Sequence, residues 1–415
     1  MVERCLRSVL PPATDLPGED EDWIESGLLD SMAHVEVLMQ IERAAGSPDL
    51  FARAGVDPPT TTLTAMAAIQ KALAQSVEPA SAATPRQEKD RAASPMAIAG
   101  WGSALGSERV PIAQVEKEFG LPPGKLSQGA GLEAVCRASA NEDEVSLARV
   151  AAQRALEVAG VAENSLDWIL ATSETLVGFP SLGALLHSAL LAPQTCAVLD
   201  VGGACAGAVN CLIVADALFA AGRAKCVLIA SADVHSRLLV PGKVPGEFGG
   251  LFGDGASAFL LRSVNHADDT GYRLVAGMGS CLGTYASAIQ VRQGAEGAIQ
   301  LRFDGEALAH AAVDRMALVL DHLEAATGKK RDTASAIVIH QPNPRIVEIF
   351  LRRAKLPPEK IPVFTRTTGN LGSSTCGLAL SAALEEHSRK PRGERGPIFL
   401  AALGPGLLWA GALLD

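Results

Sequence analysis

The sequence predicts an α/β protein of two similar halves, preceded by a small all-helical unit. From Met96 onward, segments typical of buried strands alternate with amphipathic or apolar helices, and this alternation indicates an α/β fold. The alternation begins again after about residue 265, which suggests an internal duplication. Residues 1–75 show only helical spacing, and they carry 12 acidic and 5 basic side chains. Their net charge of −7 leaves −3 for the other 340 residues, so we predict two units with different roles.

Composition and charge narrow the function classes. The chain has 415 residues, 48% of them apolar, and a net charge of −10. An acidic chain is a poor partner for nucleic acid or for an anionic membrane surface. No apolar run reaches the roughly 18 residues that span a bilayer, and the N-terminus lacks the long apolar segment of a signal peptide. The eight cysteines include no CxxC pair, so we expect no metal site, no disulfide framework and a cytoplasmic protein with reduced thiols.

The small unit is expected to be a helical bundle joined to the rest by a linker. Apolar residues at helical spacing predict helices at Val2–Leu10, Met32–Ala45 and Leu63–Leu73. Asp30 or Ser31 is the predicted N-cap of the second helix. Residues 76–95 have no apolar pattern and are rich in Pro, Ser, Ala and charged residues. We predict a flexible linker there, with a span of roughly 25 Å.

The larger unit is divided into halves at residues 96–265 and 266–415. Its predicted strands are Ala97–Gly100, Trp168–Thr172, Ala197–Val201, Cys226–Ser231, Ala256–Leu261, Ala336–His340, Pro362–Thr365, Pro397–Ala402 and Leu408–Leu413. Its predicted helices are Val145–Ala159, Ala208–Gly222, Ala307–Thr327, Pro344–Ala354 and Cys376–His387. The strand at 197–201 is interpreted as buried, with a largely apolar helix behind it.

Cys205 is the first candidate for chemistry. It lies in Asp200-Val201-Gly202-Gly203-Ala204-Cys205-Ala206-Gly207, where a strand passes through small residues into an apolar helix. The glycines permit a sharp turn, and a cysteine at a helix N-terminus is expected to have a lowered pKa that favours the thiolate. Such a thiolate is a nucleophile at neutral pH. The alternative is a small core residue at a tight turn, and the turn alone does not decide between them.

Three further segments strengthen the catalytic interpretation. His340 ends a predicted strand, Asn370 lies in Gly-Asn-Leu-Gly-Ser-Ser before a helix, and Gly404-Pro405-Gly406 lies near the C-terminus. Each segment alone is ordinary: a satisfied polar side chain, or a turn. Together with Cys205 they lie at the carboxyl ends of strands in an α/β chain, where binding and catalytic sites form.

The ordered set of motifs resembles the type III 3-ketoacyl-(acyl carrier protein) synthases of the thiolase superfamily, over roughly residues 96–415. The resemblance rests on the Cys205 segment, Phe-Gly-Asp-Gly-Ala at 252–256, His-Gln-x-Asn at 340–343, Gly-Asn at 369–370 and Gly-x-Gly at 404–406. It implies the thiolase fold, with five layers (αβαβα) from two duplicated halves, and a homodimer. It implies that Cys205 accepts an acyl group as a thioester, and that His340 and Asn370 stabilise the enolate of a malonyl-type donor. The backbone N–H groups of Cys205 and Gly406 would form the oxyanion hole.

The resemblance also implies binding residues and shows a departure. Phe179 matches the residue that lines and gates the acyl pocket across the dimer interface, and Arg345 matches a basic residue that docks the carrier protein. Asn343, the last residue of His-Gln-x-Asn, is placed with them as a substrate- or carrier-binding residue. Lys125 and Gly129 stand where members that use free coenzyme A have Trp and Arg. A carrier-tethered acyl donor is therefore expected in preference to a coenzyme A thioester.

The N-terminal unit resembles an acyl carrier protein. Asp30-Ser31-Met32 matches the Asp-Ser-Leu/Met signature, so Ser31 would carry 4'-phosphopantetheine, added by a phosphopantetheinyl transferase. The first helix is shorter than is usual in carrier proteins, so a truncated or misassigned start stays open. A carrier tethered by some 20 flexible residues would reach its enzyme at roughly millimolar local concentration.

Three functions are compatible with these motifs. The leading hypothesis is decarboxylative carbon–carbon bond formation, in specialised polyketide or fatty-acid-derived biosynthesis. The second is an acyltransferase on the same fold, which moves an acyl group to an alcohol, amine or thiol without condensation. The third is a carrier joined to a non-catalytic partner subunit. Cys205, His340 and Asn370 together favour the first. The acyl chain, and whether the fused carrier presents donor, acceptor or product, stay open.

Overall fold

The computed structural model describes residues 1–11, 14–46, 50–51, 59–74, 96–176, 178–264, 271–293 and 299–415. In the first unit it contains the helices α1 (Val2–Val9), α2 (Ser31–Ala45) and α3 (Thr62–Ala74), close to the predicted bounds. The Asp30 carboxylate accepts a hydrogen bond from the Ala33 amide at 2.7 Å, so Asp30 is the N-cap of α2. The predicted linker, residues 76–95, lies outside the described residues.

An apolar core holds these three helices together. Trp23 is fully buried at its centre, and its amide donates to the Thr60 carbonyl at 2.8 Å. Leu6 of α1, Leu38 of α2 and Ala65 of α3 pack in the same core. Each helix thus buries an apolar stripe in this core, as its spacing predicted.

The larger unit contains thirteen described strands and ten described helices. The strands are β1 (Met96–Leu105), β2 (Glu108–Pro111), β3 (Ala134–Arg137), β4 (Trp168–Thr172), β5 (Ala197–Asp200), β6 (Cys226–Val234), β7 (Asp254–Ser263), β8 (Tyr272–Cys281), β9 (Ile289–Gln293), β10 (Ile299–Phe303), β11 (Ala336–Ile339), β12 (Ile398–Gly404) and β13 (Leu408–Leu414). The helices are α4 (Ile112–Glu118), α5 (Glu144–Ala159), α6 (Leu182–Ala189), α7 (Gly207–Ala220), α8 (His235–Leu238), α9 (Gly246–Gly249), α10 (Gly305–Thr327), α11 (Pro344–Ala354), α12 (Thr365–Thr368) and α13 (Thr375–Ser388).

The sheet pairing repeats in the two halves. Nine strands form one mixed sheet in the order β11-β12-β13-β8-β1-β7-β6-β4-β5. In the first half β1 and β7 are antiparallel, β7 and β6 are antiparallel, and β6 and β4 are parallel. In the second half β8 and β13, β13 and β12, and β12 and β11 follow the same sequence of pairings. The internal duplication is therefore visible in the topology. The predicted boundary at 265/266 lies outside the described residues.

Three apolar cores separate the layers. The central core contains α7 and α13 together with one face of both half-sheets, including Val209 and Ala379. A second core lies between α5, α6 and the outer face of the first half. A third lies between α10, α11 and the outer face of the second half. Leu170 and Ile169 of β4 point into different cores because side chains alternate across a strand. Helix and sheet layers thus alternate in the αβαβα order.

One predicted strand is absent, and the burial predicted for another was wrong. The segment predicted as the buried strand Ala197–Val201 forms β5, which is the last strand at one end of the sheet, and Leu199 is 43% exposed. Pro362–Thr365 is not a strand. The Gln341 side chain accepts from the Phe364 amide at 3.2 Å and donates to the Pro362 carbonyl at 2.7 Å. These backbone groups of 362–364 would have to bond to a neighbouring strand if the segment were part of a sheet.

The first unit packs against the second through α2. Val35 and Met39 of α2 are buried in the same core as Val313 and Met316 of α10. The Glu36 carboxylate forms an ion pair with Arg352 of α11 at 3.0 Å. The small unit is therefore docked on the outer helices of the second half.

Candidate active site

Cys205 lies in a strained turn between β5 and α7. Gly203 has φ +133° and Ala204 has φ +48°, a left-handed conformation that costs energy in a residue with a Cβ. Ala204–Ala206 form one 3₁₀ turn and α7 begins at Gly207, so the cysteine precedes the helix by two residues. Cys205 is 9% exposed. The sharp turn predicted from the glycines is confirmed.

The direction predicted for the pKa shift of Cys205 was wrong. Burial raises the pKa of the Cys205 thiol well above its ordinary value, and the neighbouring Glu174 carboxylate raises it further. A helix N-terminus stabilises an anion by about 0.3–1 kcal/mol, which is small beside the desolvation of a buried thiolate next to a carboxylate. The resting side chain is therefore a thiol, and it must lose its proton as it attacks.

His340 is a neutral hydrogen-bonding group in this site. It follows β11, its amide donates to the Ala401 carbonyl at 2.9 Å, and the residue is 5% exposed. Burial lowers the pKa of its imidazole to about 4, although the Glu174 charge opposes the shift. Its Nδ1 has no hydrogen-bond partner in the described part of the chain. At neutral pH the ring can donate a hydrogen bond to an oxygen without bringing a positive charge.

Asn370 is held with a defined amide orientation. Its Oδ1 accepts from the Gly372 amide and from Thr375 Oγ1, each at 3.0 Å. Its backbone bonds to the Leu251 carbonyl and the Gly253 amide, both at 2.9 Å. Because the amide oxygen is occupied, the NH₂ group is the end that is left to donate to a substrate.

Gly406 lies in the turn between β12 and β13, with φ +133°. At the start of this turn, Gly404 touches the Gly203 carbonyl so closely that a Cβ would overlap it. The turn is therefore packed against the loop that carries Cys205. The oxyanion role of Gly406 stays a prediction.

Asp233 is a site residue that the sequence reasoning missed. Its Oδ1 accepts from the Glu174 amide at 2.5 Å and from Ser173 Oγ at 3.1 Å. Its Oδ2 accepts from the amide and hydroxyl of Ser373, at 2.8 and 2.6 Å. One buried carboxylate thus ties the loop after β4 to the loop that carries Asn370.

His235 and Glu174 form a second missed group. His235 Nε2 lies 3.7 Å from Glu174 Oε2, and Nδ1 lies 3.1 Å from the Gly253 carbonyl oxygen. Both ring nitrogens face acceptors, so the imidazolium form fits the pocket. Burial opposes that charge, but the nearby Glu174 carboxylate and the charge of Asp233 raise the pKa of His235 to about 9. Glu174 and His235 follow the ends of β4 and β6, so the strand-end rule that identified His340 points to them as well.

A cavity of about 180 Å³ opens beside the Cys205 loop. It lies between the segment after β4 and the end of β5, and its lining includes Ser173, Leu176, Leu182 and Val201. Phe179 lies in the segment after β4 and is fully exposed in the single chain. None of the described residues covers its ring.

The other predicted residues occupy different positions. Asn343 Oδ1 accepts from the Ile346 amide at 3.0 Å, so this side chain is the N-cap of α11. Arg345 lies in the first turn of α11, 39% exposed, and pairs with Glu348 at 3.3 Å. Its amide bonds to the Ala130 carbonyl at 3.3 Å, next to the segment with Lys125 and Gly129. Ser31 is the first residue of α2.

The described residues contain no group of three or more His, Cys, Asp or Glu side chains that could hold a metal ion. None of the described helices combines the length and apolar character needed to cross a membrane.

A buried thiol, a neutral imidazole and an oriented carboxamide are the kinds of group that acyl transfer through a cysteine and stabilisation of an enolate require. Comparison with known proteins agrees. The models "3-Oxoacyl-[acyl-carrier-protein (ACP)] synthase III" and "3-Oxoacyl-[acyl-carrier-protein (ACP)] synthase III C terminal" match residues 199–277 and 323–415. A beta-ketoacyl-[acyl-carrier-protein] synthase III of Granulibacter bethesdensis is 32% identical over 322 residues, which are 76% of this chain and 98% of the relative.

Solved structures give the same result. A 3-oxoacyl-[acyl-carrier-protein] synthase III from Aquifex aeolicus has a TM-score of 0.68 at 27% identity, over 77% of this chain and 99% of the other. The enzyme of that name from Pseudomonas aeruginosa has a TM-score of 0.69 at 25% identity, over 77% and 98%. The chain belongs to the 3-oxoacyl-[acyl-carrier-protein] synthase III family of condensing enzymes, with a thiolase-like fold. The matched segments do not include residues 1–75, so the carrier-like role of that unit stays a prediction.

Proposed function

We propose that the chain joins an acyl group on Cys205 to a malonyl-type thioester on a carrier protein, with loss of carbon dioxide. The observation that carries the proposal is a neutral His340 together with an oriented Asn370, which lies just before a turn, residues 372–374, that packs against the Cys205 turn. Enolates develop negative charge on oxygen, and two neutral donors stabilise that charge without attracting the donor's carboxylate.

The reaction has two stages. In the first, Cys205 Sγ attacks an acyl thioester, and the donor's thiol leaves. In the second, the malonyl-type donor loses carbon dioxide, and its carbonyl oxygen accepts hydrogen bonds from His340 and Asn370 as the enolate forms. The enolate carbon attacks the acyl-cysteine, a carbon–carbon bond forms, and Cys205 leaves as a thiolate that takes a proton from solution. The backbone N–H groups of Cys205 and Gly406 would stabilise the tetrahedral oxyanion.

The N-terminal unit is proposed to act as a fused carrier. Ser31, at the start of α2, would receive 4'-phosphopantetheine from a phosphopantetheinyl transferase. Support comes from the docking of α2 on α10 through Val35 and Met39 and from the Glu36–Arg352 ion pair. Arg345, on the same helix as Arg352, would contact the carrier that brings the donor. Lys125 and Gly129 favour such carrier-bound thioesters over coenzyme A thioesters.

A homodimer is proposed as the working form, in the cytoplasm. Support comes from the fully exposed Phe179 ring and from Leu199 on β5 at the end of the sheet. Exposed apolar groups of this kind mark protein–protein contacts. The cavity of about 180 Å³ beside the loop that carries Cys205 is the proposed acyl site. The product would enter specialised polyketide or fatty-acid-derived biosynthesis.

The test uses a malonyl carrier labelled with ¹³C in the free carboxyl group. We expect labelled carbon dioxide and a β-ketoacyl thioester from the native chain, and neither from Asn370→Ala. Ser31→Ala should lose the phosphopantetheine mass increase on incubation with the transferase and coenzyme A. If the acyl group moves unchanged to an acceptor without use of the malonyl carrier, the chain is an acyltransferase and the proposal is wrong.

A further inference from the structure

The site contains a carboxylate that the proposed condensation does not use. Glu174 lies in the loop after β4, and its Oε1 lies against Gly372, whose turn at 372–374 packs against the turn that carries Cys205. The Glu174 charge raises the pKa of the Cys205 thiol. Its Oε1 is shut off from solvent and meets no hydrogen-bond donor among the described N–H and O–H groups. A buried carboxylate oxygen without such a partner is costly unless it serves the chemistry.

The loop is built to hold this carboxylate against the cysteine. Asp233 accepts the Glu174 amide at 2.5 Å, which fixes the backbone of the residue. Thr175 Oγ1 donates to Glu144 at 2.7 Å and accepts from the Val234 amide at 2.9 Å, which fixes the next residue. The loop is thus anchored on both sides of the point where Glu174 projects.

His235 keeps the carboxylate in its ionised form. Its Nε2 lies 3.7 Å from Glu174 Oε2, while the ring is held by the Gly253 carbonyl and by the Phe252 ring, whose centroid lies 4.5 Å away. Burial by itself would raise the pKa of Glu174. The close approach and positive charge of His235 outweigh burial and lower the pKa of Glu174. The carboxylate is therefore available as a proton acceptor.

The other charged and titratable groups around the thiol are less suited to this role. Asp233 already accepts four hydrogen bonds, two on each oxygen. Cys376 is a buried thiol whose pKa burial raises to about 12. The pKa of His340 is lowered to about 4 by burial, and its proposed role needs its proton for the enolate oxygen.

We infer that Glu174 is a further catalytic residue, which takes the Cys205 proton during acylation and gives it to the departing thiol. The inference rests on the proposed acyl-Cys205 intermediate. The S–H bond of Cys205 breaks and its proton goes to a Glu174 oxygen, while Sγ bonds to the acyl carbon. The carbon–sulfur bond of the incoming thioester then breaks, and the Glu174 proton passes to the sulfur that leaves. No proton is gained or lost overall. His235 and Asp233 are positioning residues.

The experiment measures two reactions of Cys205 in the full chain: acylation by an acyl thioester in the absence of malonyl donor, and alkylation by iodoacetamide. Glu174→Gln keeps the size of the side chain but removes its basicity. We expect acylation to slow by about 100-fold or more, the usual range for a lost general base. Alkylation should instead become faster, because removal of the neighbouring negative charge lowers the pKa of the thiol. Glu174→Asp should restore part of the acylation rate.

Glu144→Gln is the matched control, because it removes a negative charge beside the same loop while its side-chain oxygen still accepts the hydrogen bond from Thr175 Oγ1. It should leave both reactions close to native. His235→Gln should move the acid limb of the acylation rate to higher pH, because the pKa of Glu174 then rises. Equal acylation rates in Glu174→Gln and Glu144→Gln would overturn the inference and leave the proposed function intact. A joint fall in acylation and alkylation would also overturn it, since residue 174 would then only position the thiol. Failure of the native chain to accept any acyl group would instead refute the proposed function.

Discussion

A substitution at Gly372 is the most stringent test of how Glu174, Asp233 and His235 pack around Cys205. These three residues are called the buried cluster. The φ of Gly372 is +55°, and a Cβ would lie 2.6 Å from His235 Cε1, 2.7 Å from Asp233 Oδ2 and 2.9 Å from Glu174 Oε1. Gly372→Ala therefore adds a left-handed residue, at about 1–2 kcal/mol, and an overpacked methyl group, at about 1–3 kcal/mol. The expected loss in the free energy of unfolding is roughly 2–5 kcal/mol.

The control separates the two contributions. Gly160 has φ +62°, and a Cβ added there would have nothing within 4 Å, so Gly160→Ala carries only the conformational cost. Urea unfolding followed by tryptophan fluorescence should show about 1–2 kcal/mol for this variant. Gly372→Ala should also slow acylation of Cys205, since the methyl group displaces Glu174. Equal destabilisation by both substitutions, with acylation unchanged, would refute the described packing of the cluster.

Three further predictions follow from other parts of the molecule. The pKa of His340 is about 4 when folded and 6.5 when unfolded, so the unfolded chain binds this proton first. Stability should fall by roughly 3 kcal/mol from this group as pH drops from 6.5 towards 4, and the fall should be absent in His340→Asn. Val35→Ala removes about 2 kcal/mol of burial against α10. After trypsin cleavage within residues 75–95, it should release the N-terminal fragment on gel filtration, whereas Val37→Ala, inside the small unit's own core, should not. Phe179→Ser should weaken the dimer in light scattering, and Val158→Ser, an exposed residue on α5, should not. Unchanged mass for Phe179→Ser would argue against the dimer contact.

Local patterns predicted the regular elements well. The predicted bounds of Pro344–Ala354 are those of α11, because Asn343 supplies the cap and Pro344 favours the first helical position. Trp168–Thr172 is likewise β4. The position of β5 at the end of the sheet was not predictable, because a short, mostly apolar segment has the same sequence pattern in the centre of a sheet and at its edge.

The sequence predicted those site residues that stand out within their own short segment. Cys205, His340 and Asn370 each follow a strand or precede a helix, and the strand-end rule brought them together. Glu174 and His235 are 61 residues apart in sequence. They meet only because the fold brings the loops that contain them together next to the Cys205 turn. The sign of the Cys205 pKa shift depends on that meeting, so a helix-terminus argument alone gave the wrong direction.

The central claim is that the acyl group on Cys205 becomes part of a β-keto product. The direct measurement is a single-turnover chase: Cys205 is loaded with an isotopically labelled acyl group, excess thioester is removed, and malonyl carrier is added. We expect the label to leave the Cys205 peptide and to appear in a β-ketoacyl thioester. In Asn370→Ala, the label should stay on Cys205. Label that remains on Cys205 in the native chain, or leaves it as an unextended acyl group, would contradict the account.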